Sequence, residues 1–205
     1  MTKIKICGNT RKQDVDLAVE LGVDLLGFIF GPSKRQIDVA RGKALVADVP
    51  AGIERVGVFV DEPTAAIREA VEACALTAVQ IYRQITSEDR QLGVALLPVV
   101  RVGNGDNLDG LTFETTDHPL LDTWASNTTG GGTGRTWEWT RATRLARRYP
   151  IIVSGGLNPI NVAGAVQRLK PWGVDVCSGV EAEPGRKDHA KLQAFVNAVR
   201  RAEQT

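Results

Sequence analysis

The sequence is poor in the residues that bind metals and form disulfides. It has three cysteines and two histidines among 205 residues, and the cysteines lie in separate segments without a CxxC pair or a Cys/His cluster. An odd number of isolated cysteines argues against a disulfide framework and against a zinc site. The sequence therefore predicts no bound metal.

Long apolar runs and a dominant charge are also missing from the sequence. No run approaches the roughly 20 residues of a membrane span, and the N-terminus leads into a predicted strand without a signal-type segment. The 25 Lys and Arg are balanced by 24 Asp and Glu and form no basic stripe of the kind that nucleic acid requires. We therefore expect a cytoplasmic protein that binds neither membrane nor nucleic acid, with residues 1–205 forming a single domain.

What the sequence does contain is an alternation of strand and helix patterns. Eight short segments have the hydrophobicity of buried parallel strands, and most precede a segment with helical periodicity. The predicted strands are 3–7, 25–30, 55–60, 77–81, 96–102, 119–122, 151–153 and 174–177. Eight such pairs predict a compact α/β fold, the (β/α)8 TIM barrel. An open doubly wound sheet is the alternative, although it would place a glycine-rich turn after the first strand, where the chain offers only Gly8.

Two details of the predicted helices are specific enough to test. Thr10 to Gln13 have the spacing of a capping box, which predicts the start of the first helix. Residues 103–117 contain three glycines and no clear apolar stripe. The fifth helix of the barrel is therefore expected to be weak or missing.

The first predicted strand places a lysine and a cysteine on one face. Lys5 and Cys7 share a parity, and in a barrel whose strands are buried on both sides they point inward. Asp175, on the eighth strand, has the parity to pair with Lys5. A free thiol with a pKa near 8.5 is only about 3% ionised at pH 7, so a neighbouring ammonium group would favour the thiolate. An inert core cysteine is the alternative interpretation.

Polar and glycine residues follow several other strands at the edge where barrels keep their active sites. Asp122 ends the sixth strand, across the barrel mouth from Cys7. Glycine-containing turns at 130–134, 154–156 and 178–180 follow strands six, seven and eight and predict a phosphate site, although each alone is also consistent with a plain tight turn. Arg35, in the loop after strand two, suits a carboxylate, its alternative being a solvated charge.

A set of motifs spans nearly the whole chain in order. It comprises Lys5-Ile6-Cys7-Gly8, Leu26-Gly27-Phe28-Ile29-Phe30, Ser33-Lys34-Arg35, Val56-Gly57-Val58-Phe59-Val60, Leu120-Leu121-Asp122, Gly131-Gly132-Thr133-Gly134, Gly155-Gly156-Leu157-Asn158-Pro159 and Val174-Asp175-Val176-Cys177-Ser178-Gly179. Together these motifs resemble the phosphoribosylanthranilate isomerase family, whose members are TIM-barrel enzymes of tryptophan biosynthesis.

The resemblance implies an intramolecular oxidoreductase that needs no cofactor. It implies an Amadori rearrangement of a small phosphoribosyl substrate, with Asp122 as the general acid and Cys7 as the general base, supported by Lys5 and Asp175. Arg35 would bind the anthranilate carboxylate. The other implied substrate-binding residues are Gln80, Gly132, Thr133, Gly134, Gly155, Gly156, Ser178 and Gly179. We expect a monomer or a weak homodimer.

The chain departs from the family pattern after the fourth strand. Where the family usually has Gln-Leu-His-Gly, this chain has Gln80-Ile81-Tyr82-Arg83, and Cys177 stands where the family often has Ser. Two alternatives therefore stay open. One is a related isomerase of histidine biosynthesis, or an enzyme of both pathways; the other is a phosphosugar-binding barrel without turnover.

Overall fold

Eight parallel strands close into a barrel, each paired with the next and the eighth with the first. The computed structural model describes residues 1–103, 106–123 and 136–204. The strands are β1 (Lys3–Ile6), β2 (Leu25–Ile29), β3 (Glu54–Phe59), β4 (Ala78–Ile81), β5 (Ala95–Val102), β6 (Leu120–Thr123), β7 (Ile152–Val153) and β8 (Gly173–Val176). The predicted barrel is confirmed, and the open-sheet alternative is wrong.

Helices pack around the outside of this barrel. They are α1 (Lys12–Glu20), α2 (Val39–Val46), α3 (Thr64–Ala73), α4 (Thr143–Arg148), α5 (Val162–Leu169) and α6 (His189–Ala202). After β4 the chain forms only a 3-10 turn, Asp89–Gln91, and residues 103 and 106–119, between β5 and β6, contain no helix. No described helix is long and apolar enough to cross a membrane.

Every second side chain of a strand points into the barrel, and these side chains form an apolar layer there. One apolar cluster is formed by inward-facing strand residues, namely Leu25, Val56, Ala78, Leu97, Leu120 and Ile152. Two residues further along each strand the side chain points to the same interior, because strand side chains alternate with a period of two. These next positions include Gln80, Asp122 and Ser154. The polar groups at the carboxyl ends of the strands therefore stand on an apolar layer.

The predicted capping box at Thr10 is wrong. α1 begins at Lys12 with Arg11 as its N-cap, and no side chain caps it. The Thr10 hydroxyl instead donates to the carbonyl of Gly185, which belongs to a hairpin that the sequence analysis missed. That hairpin consists of β9 (Glu181–Glu183) and β10 (Arg186–Lys187) and lies between β8 and α6. A tertiary contact has therefore replaced the local cap.

Candidate active site

A pocket opens at the carboxyl-terminal end of the barrel. Its lining includes Cys7, Arg35, Gln80, Tyr82, Asp122, Ser154, Gly155, Gly156, Asp175, Cys177, Ser178 and Gly179. The structure thus brings together the predicted site residues that it describes, except that Lys5 lies below the pocket wall. Gly132, Thr133 and Gly134 lie outside the described residues. Among the described residues, no three His, Cys, Asp or Glu side chains form a group that could hold a metal ion.

The ion pair predicted between strands one and eight is present. Lys5 lies opposite Asp175 in the β1–β8 ladder, and its Nζ is 2.8 Å from Oδ1 of Asp175. The other carboxylate oxygen, Oδ2, accepts a hydrogen bond of 2.9 Å from the Ser154 hydroxyl. Burial alone would lower the pKa of Lys5, but Asp175 and then Cys7 raise it above its usual range. Lys5 is therefore a permanent buried cation beneath the pocket.

Gly27 on β2 makes the space that Lys5 and Cys7 occupy. A Cβ atom at this position would lie 2.9 Å from Sγ of Cys7 and 3.1 Å from Nζ of Lys5. Both distances are shorter than ordinary van der Waals contact, and the neighbouring atoms are buried. Only a residue without a side chain therefore allows the ammonium group and the thiol to lie side by side.

The thiol of Cys7 has a second neighbour that the sequence analysis did not assign to the site. The thiols of Cys177 and Cys7 both line the pocket, and Cys177 also donates a long hydrogen bond of 3.9 Å to Oε1 of Glu181. Interaction with Cys177 is the largest cause that lowers the pKa of Cys7, to about 7. Burial opposes the shift, and the charge of Lys5 adds to it. The same pairing raises the pKa of Cys177 well above its usual value. Cys177 therefore remains the neutral thiol of the two, and Cys7 is the one that ionises.

Asp122, at the end of β6, is held by two hydrogen bonds and is only 4% exposed. Its Oδ1 accepts from the backbone N–H of Thr123 at 2.8 Å, and its Oδ2 accepts from the Tyr82 hydroxyl at 3.0 Å. Burial raises the pKa of Asp122 to about 6, with Asp175 adding to the rise and the Tyr82 bond reducing it. A protonated form is therefore available near neutral pH, which suits a general acid.

Arg35 lines the pocket and forms an ion pair with Glu181 of β9. Its Nε lies 2.8 and 3.0 Å from the two carboxylate oxygens, and its Nη2 also donates to Glu181. Lys187 of β10 binds the same carboxylate at 3.2 Å. Burial raises the pKa of Glu181, but Arg35 and then Lys187 outweigh it and keep that pKa low. The pair orients the guanidinium group and does not use Nη1, which leaves that nitrogen for a ligand.

The turns after β7 and β8 need glycine for two physical reasons. Gly155 and Gly156 have φ angles of +86° and +68°, which other residues rarely adopt. A Cβ at Gly179 would lie 1.9 Å from the carbonyl oxygen of Leu157, so the two turns pack directly against each other. Bare backbone therefore forms this wall of the pocket, beside Ser178.

The two departures from the family pattern after β4 lie in different surroundings. Tyr82 lines the pocket, whereas Arg83 turns away and binds the buried Asp89 through both terminal nitrogens, at 2.6 and 2.8 Å. Its Nε also donates to the carbonyl of Glu62 at 3.0 Å. Arg83 therefore anchors the loop, and Tyr82 is the one of these two residues that affects the pocket.

Glu181, Lys187 and Cys177 are the polar residues that sequence reasoning did not assign to the site. Lys187 donates to the carbonyl oxygen of Cys7, and it is buried although it belongs to a two-residue strand. The one feature of the sequence that could have pointed to Glu181 and Lys187 is the group of charged residues after the last barrel strand. By sequence, this group is interpreted as part of the loop that leaves the strand. Cys177 stands where the family often has Ser, which exchanges a hydroxyl group for a thiol, and the sequence alone gave no reason to assign this thiol to the site.

The protein is a (β/α)8 barrel whose pocket contains a thiol of lowered pKa, a carboxyl group of raised pKa and the glycine turns after β7 and β8. These features are typical of a barrel enzyme with its active site at the carboxyl-terminal end of the strands. Comparison with known families makes the assignment specific. Residues 4–198 match the family model described as N-(5'phosphoribosyl)anthranilate (PRA) isomerase. The chain belongs to this family.

Individual relatives agree with the family assignment over nearly the full length. An N-(5'-phosphoribosyl)anthranilate isomerase of Pelobacter propionicus is 38% identical over 199 residues, covering 96% of this chain and 94% of the relative. The crystal structure of phosphoribosyl anthranilate isomerase from Thermotoga maritima has a TM-score of 0.88 and 34% identity, covering 98% and 99% of the two chains.

A second solved structure of a phosphoribosyl anthranilate isomerase contains a ligand, reduced 1-(o-carboxyphenylamino)-1-deoxyribulose 5-phosphate. It has a TM-score of 0.86 and 32% identity, with 98% of this chain and 99% of that chain covered. The family, the barrel fold and the isomerase class predicted from the sequence are confirmed.

Proposed function

We propose that this chain isomerises N-(5'-phosphoribosyl)anthranilate to 1-(o-carboxyphenylamino)-1-deoxyribulose 5-phosphate, with Asp122 as the general acid and Cys7 as the general base. The observation that carries the proposal is that one pocket contains two groups whose pKa values are shifted in opposite directions. The pKa of the buried carboxyl group is raised to about 6 and the pKa of the thiol is lowered to about 7. Acid–base catalysis near neutral pH requires groups of this kind.

The first step opens the furanose ring. The carboxyl group of Asp122 gives its proton to the ring oxygen while the anilino nitrogen supplies an electron pair to C1, so the C1–O bond breaks and an open iminium ion forms. Asp122 becomes a carboxylate, and the Thr123 amide and the Tyr82 hydroxyl donate to its two oxygens. These donors are in place before the negative charge appears.

The second step removes the proton on C2, which the positively charged iminium group makes acidic. The thiolate of Cys7 takes this proton, and the electron pair of the C–H bond moves to form an enolamine. Cys177 and the charge of Lys5 favour the thiolate before the transfer. The enolamine then takes a proton at C1 and loses the hydroxyl proton at C2, which yields the ketone with no net oxidation.

Two charged ends of the substrate need partners at opposite sides of the pocket. Arg35, held by Glu181, offers Nη1 to the anthranilate carboxylate, because a guanidinium group is a strong donor to carboxylates. Gly155, Gly156, Ser178 and Gly179 supply the backbone wall for the phosphate, at the strand ends where barrels of this type bind phosphate. Gln80 is buried, and its Oε1 has no partner among the described groups, so it is available to a sugar hydroxyl.

The test is turnover of freshly generated N-(5'-phosphoribosyl)anthranilate, followed by the loss of anthranilate-type fluorescence. Wild type is expected to convert it, and Cys7→Ala to lose at least about 100-fold, the range that one general base supplies. Cys74→Ala is the matched control, since Cys74 is also buried but packs against the carbonyl of Val39, outside the pocket. A folded wild type without turnover would favour a binding barrel, and equal turnover of the larger histidine-pathway substrate would favour an enzyme of both pathways.

Three further expectations from the sequence stay predictions. We expect the chain to act in the cytoplasm, as one domain over residues 1–205, and as a monomer or a weak homodimer. Size-exclusion chromatography with light scattering across a concentration series tests the last of these.

A further inference from the structure

A hydrogen bond from Tyr82 lies at the proposed general acid. Tyr82 directly follows β4, and its hydroxyl is the donor 3.0 Å from Oδ2 of Asp122, two strands away on β6. The family usually has histidine at this position, so its pattern assigns no role to a phenol here. The proposed function names Tyr82 only as a donor to the Asp122 carboxylate; how Tyr82 sets the geometry and the acidity of Asp122 goes beyond it.

We propose that Tyr82 is the positioning residue of the general acid: its hydroxyl holds one carboxyl oxygen of Asp122 and donates to the carboxylate that remains after proton transfer. This inference rests on the proposed acid role of Asp122. The Thr123 amide holds the other oxygen at 2.8 Å. Two donors on two oxygens fix the plane of the carboxyl group, so the group does not have to be reoriented during the reaction.

Contacts with neighbouring strands hold Tyr82 beside Asp122. The backbone N–H of Tyr82 donates to the carbonyl of Phe59, at the end of β3, at 3.1 Å. The guanidinium carbon of Arg101 on β5 lies 5.4 Å from the ring centroid, within the range of a cation–π contact. Arg101 is also the ladder partner of Asp122 in the β5–β6 pair. The backbone of Tyr82 is therefore held by β3, and its ring lies against Arg101 of β5 while its hydroxyl contacts Asp122 of β6.

The charges around the pair keep Tyr82 a neutral donor. Burial, followed by the charges of Asp122, Cys7 and Asp175, raises the pKa of its phenol well above the usual value. The carboxyl group of Asp122 itself faces Asp175, which raises its pKa, and Lys5, which lowers it. Because the phenol keeps its proton throughout the working range, it stabilises the charged form of Asp122 and does not relay a proton.

The experiment compares Tyr82→Phe with Tyr149→Phe, the matched control. Tyr149 is the other tyrosine of the chain, and it stacks edge-on against Phe113, outside the pocket. Loss of the Tyr82 hydroxyl removes a donor that favours the carboxylate, so the pKa of Asp122 is expected to rise by about one pH unit. Carbon NMR of the aspartate carboxyl signals, assigned with Asp122→Asn, measures this directly in the protein without substrate.

The second readout is the pH dependence of kcat/KM, which reports groups of the free enzyme. At pH 6 we expect Tyr82→Phe to lose about tenfold, because the acid is weaker and less well held. At pH 8.5 a larger fraction of its Asp122 remains protonated, so the ratio of wild type to variant should shrink about fivefold. The titration of the substrate phosphate cancels in this ratio, and a purely structural loss would leave the ratio constant.

The inference and the proposed function fail in different ways. An Asp122 midpoint that stays unchanged in folded Tyr82→Phe, or a ratio that does not vary with pH, would overturn the role of Tyr82 even if the wild type is active. An upward shift of the Asp122 midpoint in Tyr82→Phe, with no shift in Tyr149→Phe, supports that role. The NMR measurement gives this answer whether or not the wild type turns over the proposed substrate.

Discussion

Removing the thiol of Cys177 should reduce the fraction of Cys7 that is thiolate, without changing Cys7 itself. Cys177→Ala deletes the neighbour whose interaction lowers the pKa of Cys7, while Lys5 and the rest of the site remain. With a pKa of about 7, Cys7 is roughly half thiolate at pH 7, whereas an ordinary thiol with a pKa near 8.5 is about 3% ionised. The variant should therefore lose at most about 15-fold in kcat/KM at pH 7, and recover as the pH approaches 9.

Alkylation measures the same thiolate without substrate. The rate at which iodoacetamide modifies Cys7, resolved by peptide mass spectrometry across a pH series, should shift its midpoint upward by at most about 1.5 pH units in Cys177→Ala. Cys177→Ser is the matched variant, since its hydroxyl can still donate, and should fall between the two. An unchanged midpoint in folded Cys177→Ala would refute the argument that this thiol activates the base.

Two further predictions concern groups beneath and beside the pocket. Gly27→Ala places a methyl group 2.9 Å from the sulfur of Cys7 and 3.1 Å from Nζ of Lys5. We expect the free energy of unfolding, measured by thermal unfolding, to fall by about 1–3 kcal/mol and most of the activity to be lost. A variant as stable as the wild type would contradict this. Arg83→Ala leaves the fully buried Asp89 carboxylate without its cation and should lower the free energy of unfolding in urea by roughly 3 kcal/mol, with kcat near wild type. Burial raises the pKa of Asp89 but Arg83 and Thr86 outweigh it and hold that pKa below its usual value, so this stabilisation should be complete above about pH 4 and lost at lower pH.

The sequence predicted the parts of the fold that depend on local periodicity. Eight strand patterns gave the barrel, and strand parity alone brought Lys5 opposite Asp175. Parity also brought Cys7 and Asp122 into one pocket. These predictions succeeded because a strand of known direction fixes which side chains face the interior and which end of the strand they occupy.

The contacts that tune the site could not be predicted in this way. Arg35 meets Glu181 across 146 positions of the chain, and Tyr82 meets Asp122 across 40. No local pattern reports how far a side chain reaches between strands. The capping prediction at Thr10 failed for the same reason, because its hydroxyl had a more distant partner in the missed hairpin. The pairing of Cys177 with Cys7 likewise requires the closure of β8 onto β1.

The central claim is that Cys7 and Asp122 act on protons and do not simply hold the substrate. The most direct test measures the single-turnover rate of Cys7→Ala and Asp122→Asn with enzyme in excess, alongside their affinity for reduced 1-(o-carboxyphenylamino)-1-deoxyribulose 5-phosphate. The account predicts that each variant loses at least about 100-fold in rate while it binds the analogue within about threefold of wild type. A variant that keeps the wild-type rate, or loses affinity in proportion to rate, would contradict it.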